Sequence, residues 1–370
     1  MAFAERIILG RQPFPIDASA AFLPRTESAE SLPLWDENHL ITGGRRGTGK
    51  VVALDVLKNG GNVAIGTRDI ANVETFAAEA RELQEAGEIS REVNLEKGIV
   101  PFDVDLLDHV GIVEKVIELE GQGFVLNSWV HAAAEGMQAY NTKDKLLGGL
   151  VRLRGIRKRG TEAAFQEARV DLQRKLGEWV WQAMPGAMQS NYFGPKFLLD
   201  ELFYQGMFKR GAKIINFGSI WTDQIGQPGI EVPLWYWPVA VPKKSFDLEI
   251  QSAERKSNLE MDSVYPYTVI GQVIDDTDVG AMFRGGIFQL MTAEEQTRYT
   301  EASKPMTRTD MAKAVQIMLL SDPNDTELWT PGQPRKLYVL GPTNTPEEAQ
   351  ANIVREIPKD HPMLTFRSPI

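Results

Sequence analysis

From His39 onward, apolar residues fall in short runs that alternate with longer stretches of helical spacing. Leu40–Thr42 is followed by 47–58, Asn62–Gly66 by about 70–86, and Ile99–Phe102 by about 107–120, with Phe124–His131 as a fourth run. Runs of strand length between helices of 10 to 15 residues predict βαβ units, hence a parallel sheet with helices on both faces. The expected fold class is α/β, a doubly wound parallel sheet whose ligand crevice lies at the carboxyl ends of its strands. Residues 1–38 hold Pro13, Pro15, Pro24 and Pro33 with no sustained period, and read as an arm. Residues 39–342 form one domain, and 343–370, with Pro346, Pro358, Pro362 and Pro369, read as a second irregular arm that could cross to a neighbour.

Between the first run and the first helix stands Thr42-Gly43-Gly44-Arg45-Arg46-Gly47-Thr48-Gly49. Glycines let a backbone turn tightly and approach a pyrophosphate, while free amides and the positive helix end stabilise the anion. A tight turn without a ligand is the plain alternative. The second run closes as Gly66-Thr67-Arg68-Asp69, offering a cation where a NAD-preferring protein usually presents a carboxylate to the ribose 2′-hydroxyl. Arg68 with Arg46 could hold a 2′-phosphate and favour NADP(H), or both could be solvated surface arginines. Asp103, ending the third run, could accept from an adenine amino group or serve as a turn or N-cap aspartate.

Charge and composition narrow the function. A formal net charge of −10 argues against nucleic acid or an anionic membrane as partner. The absence of cysteine excludes disulfides, thiol catalysis and cysteine-ligated metals, and allows a cytoplasmic location. Four scattered histidines, His39, His109, His131 and His361, give no basis for a metal site. No apolar run reaches membrane-spanning length and the start lacks a signal-peptide core, so a soluble protein is expected.

These residues resemble the short-chain dehydrogenase/reductase family, a Rossmann-type fold. The family's TGxxxGxG is matched by Thr42, Gly43, Gly47 and Gly49, and its adenine-side aspartate by Asp103. Its fourth-strand NNAG corresponds to His131-Ala132-Ala133-Ala134, closer to the HAAG of polyketide ketoreductase domains. Gln189–Gly194 is similar to the helix carrying the family's active-site asparagine, and Lys213–Ile220 to the strand ending at its serine. Val269–Thr277 resembles the segment that contacts the nicotinamide, while Met311–Val315 and Lys336–Gly341 resemble the last helix and strand. The resemblance runs from about 39 to 342. It implies NADP(H) held by Gly43, Arg45, Arg46, Gly47, Thr48, Gly49, Arg68, Asp103, Ala132, Ala133, Gly271, Val273 and Thr277, a small-molecule substrate, and a homodimer or homotetramer.

Two departures stand out. The interval from His131 to Asn191 exceeds the family's by a segment, about 137–185, with a basic cluster (Arg152, Arg154, Arg157, Lys158, Arg159) and a helical stretch bearing Phe165, Leu172, Leu176 and Trp179. It could roof the substrate pocket, join subunits, or offer an anion patch to a phosphorylated or carrier-bound substrate; a solvated cationic helix end is the plain alternative. Second, the family's YxxxK is broken. Counting back from Gly271 gives Lys244, but Ala240 stands four residues before it. Tyr236 precedes Lys243 by the Yx6K spacing of enoyl reductases, and Pro238 and Pro242 make a regular helix across 236–243 unexpected. In the implied roles Ser219 orients a carbonyl oxygen, Tyr236 donates the proton, Lys244 or Lys243 binds ribose, and Asn191 supports a water relay. Residues 275–305 are expected to form an apolar lid or an ordinary helical hairpin. The function expected is hydride transfer to or from a carbonyl, or an activated alkene, of a sizeable, partly apolar molecule. Non-redox chemistry on the same fold and non-catalytic NADP(H) sensing are the alternatives.

Overall fold

A computed structural model of the chain describes residues 32–133, 142–227, 230–259, 264–271, 286–302, 306–325, 329–330, 333–361 and 363–364. Residues 1–31, most of the expected lid, and Val273 and Thr277 lie outside them. In chain order the elements are β1 (Asn38–Thr42), α1 (Gly47–Lys58), β2 (Asn62–Thr67), α2 (Ala71–Glu85), β3 (Ile99–Asp103), α3 (His109–Gly121) and β4 (Leu126–His131). Then come α4 (Thr142–Arg159), α5 (Glu162–Met188), a π-helical turn (Gln189–Phe193) and α6 (Gly194–Tyr204). The remainder is β5 (Phe208–Ser219), α7 (Trp237–Leu259), β6 (Tyr265–Gly271), α8 (Ala293–Ala302), α9 (Arg308–Leu320), β7 (Arg335–Val339), α10 (Pro346–Asn352) and β8 (Ile353–Val354).

The strands form one sheet in the order β3-β2-β1-β4-β5-β6-β7-β8, parallel except for β8. The order reverses between β1 and β4, the switch point at which such sheets open a crevice. Helices cover both faces, which is why β1 and β2 are buried at every position after their first. On one face Val52, Ala53 and Val56 of α1 meet Phe76 of α2 and Met311, Ala314 and Val315 of α9. On the other, Ile112 and Val116 of α3 meet Leu198 and Leu202 of α6 and Phe246 and Ile250 of α7.

Two expectations are corrected. A helix does run through Pro238 and Pro242: α7 begins at Trp237, so Pro238 is its second residue, where an amide would be unmatched anyway. Pro242 removes one bond, to the Pro238 carbonyl, at a cost of about 3 kcal/mol. Burial of Val239, Ala240 and Phe246 at 7%, 0% and 1% exposure offsets it, since a buried large apolar side chain contributes about 1.5–3 kcal/mol. The segment after 343 is likewise regular where described. Thr345 caps α10 by accepting from Glu348, and Ile353 and Val354 pair antiparallel with Val339 and Tyr338.

The extra segment is a helical pair, α4 against α5. Leu146, Leu150 and Leu153 of α4 pack with Phe165, Leu172 and Leu176 of α5 in a third core that includes Trp221, Trp235, Val239, Leu290 and Met291. Within the described residues no helix is long and apolar enough to cross a membrane.

Candidate active site

At the carboxyl ends of the central strands opens a cavity of about 570 Å³, within the range of small-molecule sites. Its floor is the turn from β1 to α1. Gly43 sits at φ +78°, and a Cβ there would lie 2.7 Å from the Ala133 amide nitrogen, so only glycine fits. A Cβ on Gly49 would run into the Gly43 carbonyl. The first turn of α1 has no side-chain cap and no acidic residue, leaving its amides and its dipole facing the cavity. This is a cradle that side chains would fill, and it fits a dinucleotide pyrophosphate.

Arg45, Arg46, Arg68 and Asn72 line the cavity beside β2, and Asn72 Nδ2 is oriented 3.3 Å from Thr67 Oγ1. At β3 the wall is Val104 and Asp105; Asp103, one residue earlier, does not line it. Gly47, Thr48, Ala132 and Ala133 line it, and Gly271 ends β6 paired with Ser219.

Ser219, Tyr236 and Lys243 line the same cavity. Ser219 caps the helical turn Ile220–Gln224: its Oγ accepts the Thr222 amide at 3.1 Å and the Tyr236 hydroxyl at 3.0 Å, and lies 2.9 Å from Thr222 Oγ1. Either hydroxyl of the Ser219–Thr222 pair can be the donor. Burial raises the Tyr236 pKa, and the hydrogen bonds with Ser219 and Thr222 act against that rise. Seven residues on a helix is nearly two turns, so Tyr236, at the entry to α7, and Lys243 share one face of it. Lys243 lines the cavity, and desolvation lowers its pKa to about 8.

Lys244 goes elsewhere. Its Nζ donates to the Asp223 carbonyl at 3.1 Å and lies 3.7 Å from Asp223 Oδ1. The family count that singles out Lys244 is therefore displaced by one residue, and Val239, not Ala240, stands four residues before the cavity lysine.

Asn191 is buried in the π-helical turn, a form enriched at functional sites. It reaches a pocket of about 10 Å³ that it shares with His131, Asn216, Phe217 and Lys243, room for about one water. Asn216 Nδ2 finds no partner there among the described residues. Beyond Tyr236 the cavity is walled by Ile220, Trp221, Val239 and Met363, with Trp221 5.3 Å from the Tyr236 ring in an edge contact. The α4–α5 pair packs behind this wall. The basic cluster stands outside it. Arg157 donates to the Leu290 carbonyl and Arg152 approaches Asp171 at 4.0 Å, while Arg154, Lys158 and Arg159 are exposed at the end of α4, where cations suit the dipole.

Sequence reasoning missed Arg308, Met311 and Met363 as cavity residues. Met363 arrives from the chain's far end and left no signal. Arg308 left one: it opens a helix, where a cation opposes the dipole.

No family model matches the chain, and no curated protein matches it in sequence. Solved structures do match it in fold. A short-chain type dehydrogenase/reductase from Mycobacterium ulcerans, 17% identical, covers 86% of this chain and 90% of its own at a TM-score of 0.51. The short-chain dehydrogenase/reductase SDR:Glucose/ribitol dehydrogenase from Brucella melitensis, 11% identical, covers 83% and 97% at 0.51. The fold of this chain is that of the short-chain dehydrogenase/reductases.

Proposed function

We propose that the protein is an NADP(H)-dependent oxidoreductase acting on a carbonyl, or an activated alkene, of a sizeable, partly apolar molecule. The observation that carries the reading is one cavity lined at one end by the glycine cradle and at the other by Ser219, Tyr236 and Lys243. A bound nicotinamide would supply or take the hydride. The chain's own residues do the rest. Ser219 and Tyr236 together hold the substrate oxygen, Tyr236 passes it a proton, and burial keeps that tyrosine protonated until it does so. Lys243 would hold the nicotinamide ribose, and the one-water pocket between Asn191 and Lys243 offers a path for replacing the proton. Arg45, Arg46 and Arg68 favour a 2′-phosphate.

The test is titration with NADPH and with NADH, following energy transfer from tryptophan to nicotinamide, then NADPH consumption with a panel of carbonyl and activated-alkene compounds. Tight NADPH binding, about ten-fold or more weaker NADH binding, and turnover are expected. An Arg68→Gln variant should lose most of the preference, since a hydrogen bond to a charged group contributes about 1.5–3 kcal/mol. Binding of neither nucleotide sinks the reading; binding without oxidation of NADPH by any compound points to non-redox chemistry.

A further inference from the structure

We infer that Arg308 is the side chain that grips the cofactor's pyrophosphate, the group common to NADP and NAD. The inference rests on the proposed cofactor site and adds to it a residue from the opposite end of the fold.

The placement is specific. A Cβ built on Gly47 would meet only the Arg308 side chain within 4 Å, with Nε at 3.8 Å and Cδ at 4.0 Å, among the described residues. Gly47 is the first residue of α1, so the guanidinium lies over the helix start whose amides are uncapped. Arg308 also lines the cavity alongside Arg45, Arg46, Gly47 and Thr48, and it is the least exposed of the cavity's four arginines.

Its base is held rigidly against α1. Thr307 and Asp310 form a capping box, with the Thr307 amide 2.7 Å and its hydroxyl 2.9 Å from Asp310 Oδ2. The second carboxylate oxygen takes the Thr343 amide at 2.6 Å and its hydroxyl at 2.9 Å. From there α9 packs along α1, Met311 and Val315 sharing a core with Val52 and Val56.

The charge of the guanidinium suits an anion at this place. A cation in the first turn of α9 opposes that helix's dipole, and this one also faces the positive end of α1. The 2′-phosphate would lie with Arg68 at the end of β2, whereas the group beside Gly47, at the helix start, is the pyrophosphate.

Nucleotide affinity, measured by the same energy transfer, tests this. Arg308→Met should raise Kd for NADPH and NADH by a similar factor, about 10- to 100-fold. It should leave the affinity for adenosine 2′-phosphate, which has no pyrophosphate, within about two-fold. Arg308→Lys, retaining the charge without the bidentate fork, should recover part of the loss if the methionine variant folds poorly. Unchanged Kd values in Arg308→Met, or a loss confined to NADPH, would overturn the assignment while the cofactor site stood. A wild-type protein that binds neither nucleotide would overturn both.

Discussion

The Tyr236 hydroxyl donates to Ser219 Oγ across 3.0 Å, although the two side chains come from opposite sides of a connection seventeen residues apart in sequence. A serine that only capped the turn at Ile220 would need no tyrosine, and a tyrosine that only packed against Trp221 and Trp235 would need no serine. The shared bond turns both toward the cavity. Tyr236→Phe should therefore lower kcat/KM for the best carbonyl substrate by about 10²- to 10⁴-fold, the usual contribution of a positioned acid. Nucleotide Kd should stay within about two-fold. Steady-state kinetics beside energy-transfer titration separates the two; full turnover in the variant would remove Tyr236 from the chemistry.

Adjacent lysines, Lys243 and Lys244, should behave as opposites. Lys243→Met should weaken nucleotide binding, whereas Lys244→Met should leave it unchanged and lower the urea midpoint, because Lys244 serves Asp223. The pH dependence gives a second check. Burial depresses the folded-state pKa of Lys243 to about 8, below the value of a free lysine. The ammonium proposed to bind ribose is thus present below about pH 8 and lost above it, so nucleotide affinity should fall between pH 7 and 9. Stability moves the other way, since the cost of a desolvated ammonium is present below pH 8 and relieved as pH rises toward the unfolded value. In Lys243→Met both slopes should flatten; a wild-type affinity that stays level to pH 9 would exclude the ammonium from binding.

Much of this was legible from the chain. Strands covered on both faces write continuous apolar runs, so the alternation from Leu40 to His131 carries the sheet, and glycines carry the cradle because a Cβ at 43 or 49 would strike backbone and 47 sits at φ +66°. Which lysine faces the cavity was not legible. Counting by a family interval assumes the same helix phase, and α7 here begins after a 3-10 turn with two prolines near its start. Arg308 and Met363 were hidden for another reason: they reach the cavity through tertiary packing of late elements, which no local pattern records.

Asp223 should prove a structural keystone beneath the site. Its carboxylate is 8% exposed and receives Lys336 on Oδ1, with Tyr338 at 2.6 Å and Gln224 at 2.7 Å on Oδ2. Burial alone would raise its pKa, but Lys336, the hydrogen bonds from Lys336 and Tyr338, and Lys244 outweigh that and hold it below the ordinary range. Deleting one partner of a buried ionic cluster strands the others, at a cost of about 3–5 kcal/mol. Asp223→Ala should accordingly show that loss in urea denaturation. A loss under about 1 kcal/mol would mean that Lys336 and Lys244 find solvent easily.

Two histidines make the fold sensitive to acid. His39 is 1% and His131 5% exposed, and each is tied by Nδ1 to a hydroxyl, Ser128 Oγ at 2.8 Å and Thr42 Oγ1 at 2.9 Å. Burial lowers both pKa values to about 3. Lys213 and then Lys209 reinforce this at His39, and Lys243 does so at His131; Glu37, 3.6 Å from His39 Nε2, is itself held toward its neutral form by burial. The folded imidazoles thus stay neutral while the unfolded chain takes up protons below about pH 6.5. Stability is complete above that value and falls as pH drops toward about 3, by about 1.4 kcal/mol per pH unit for each histidine. Carboxylates add their own loss in the same range, so the diagnostic is the slope. In urea unfolding between pH 6.0 and 4.5, His39→Gln with His131→Gln should flatten the dependence by about 2.8 kcal/mol per unit, whatever the substitutions cost at pH 7. An unchanged slope would mean that neither ring is kept neutral by the fold.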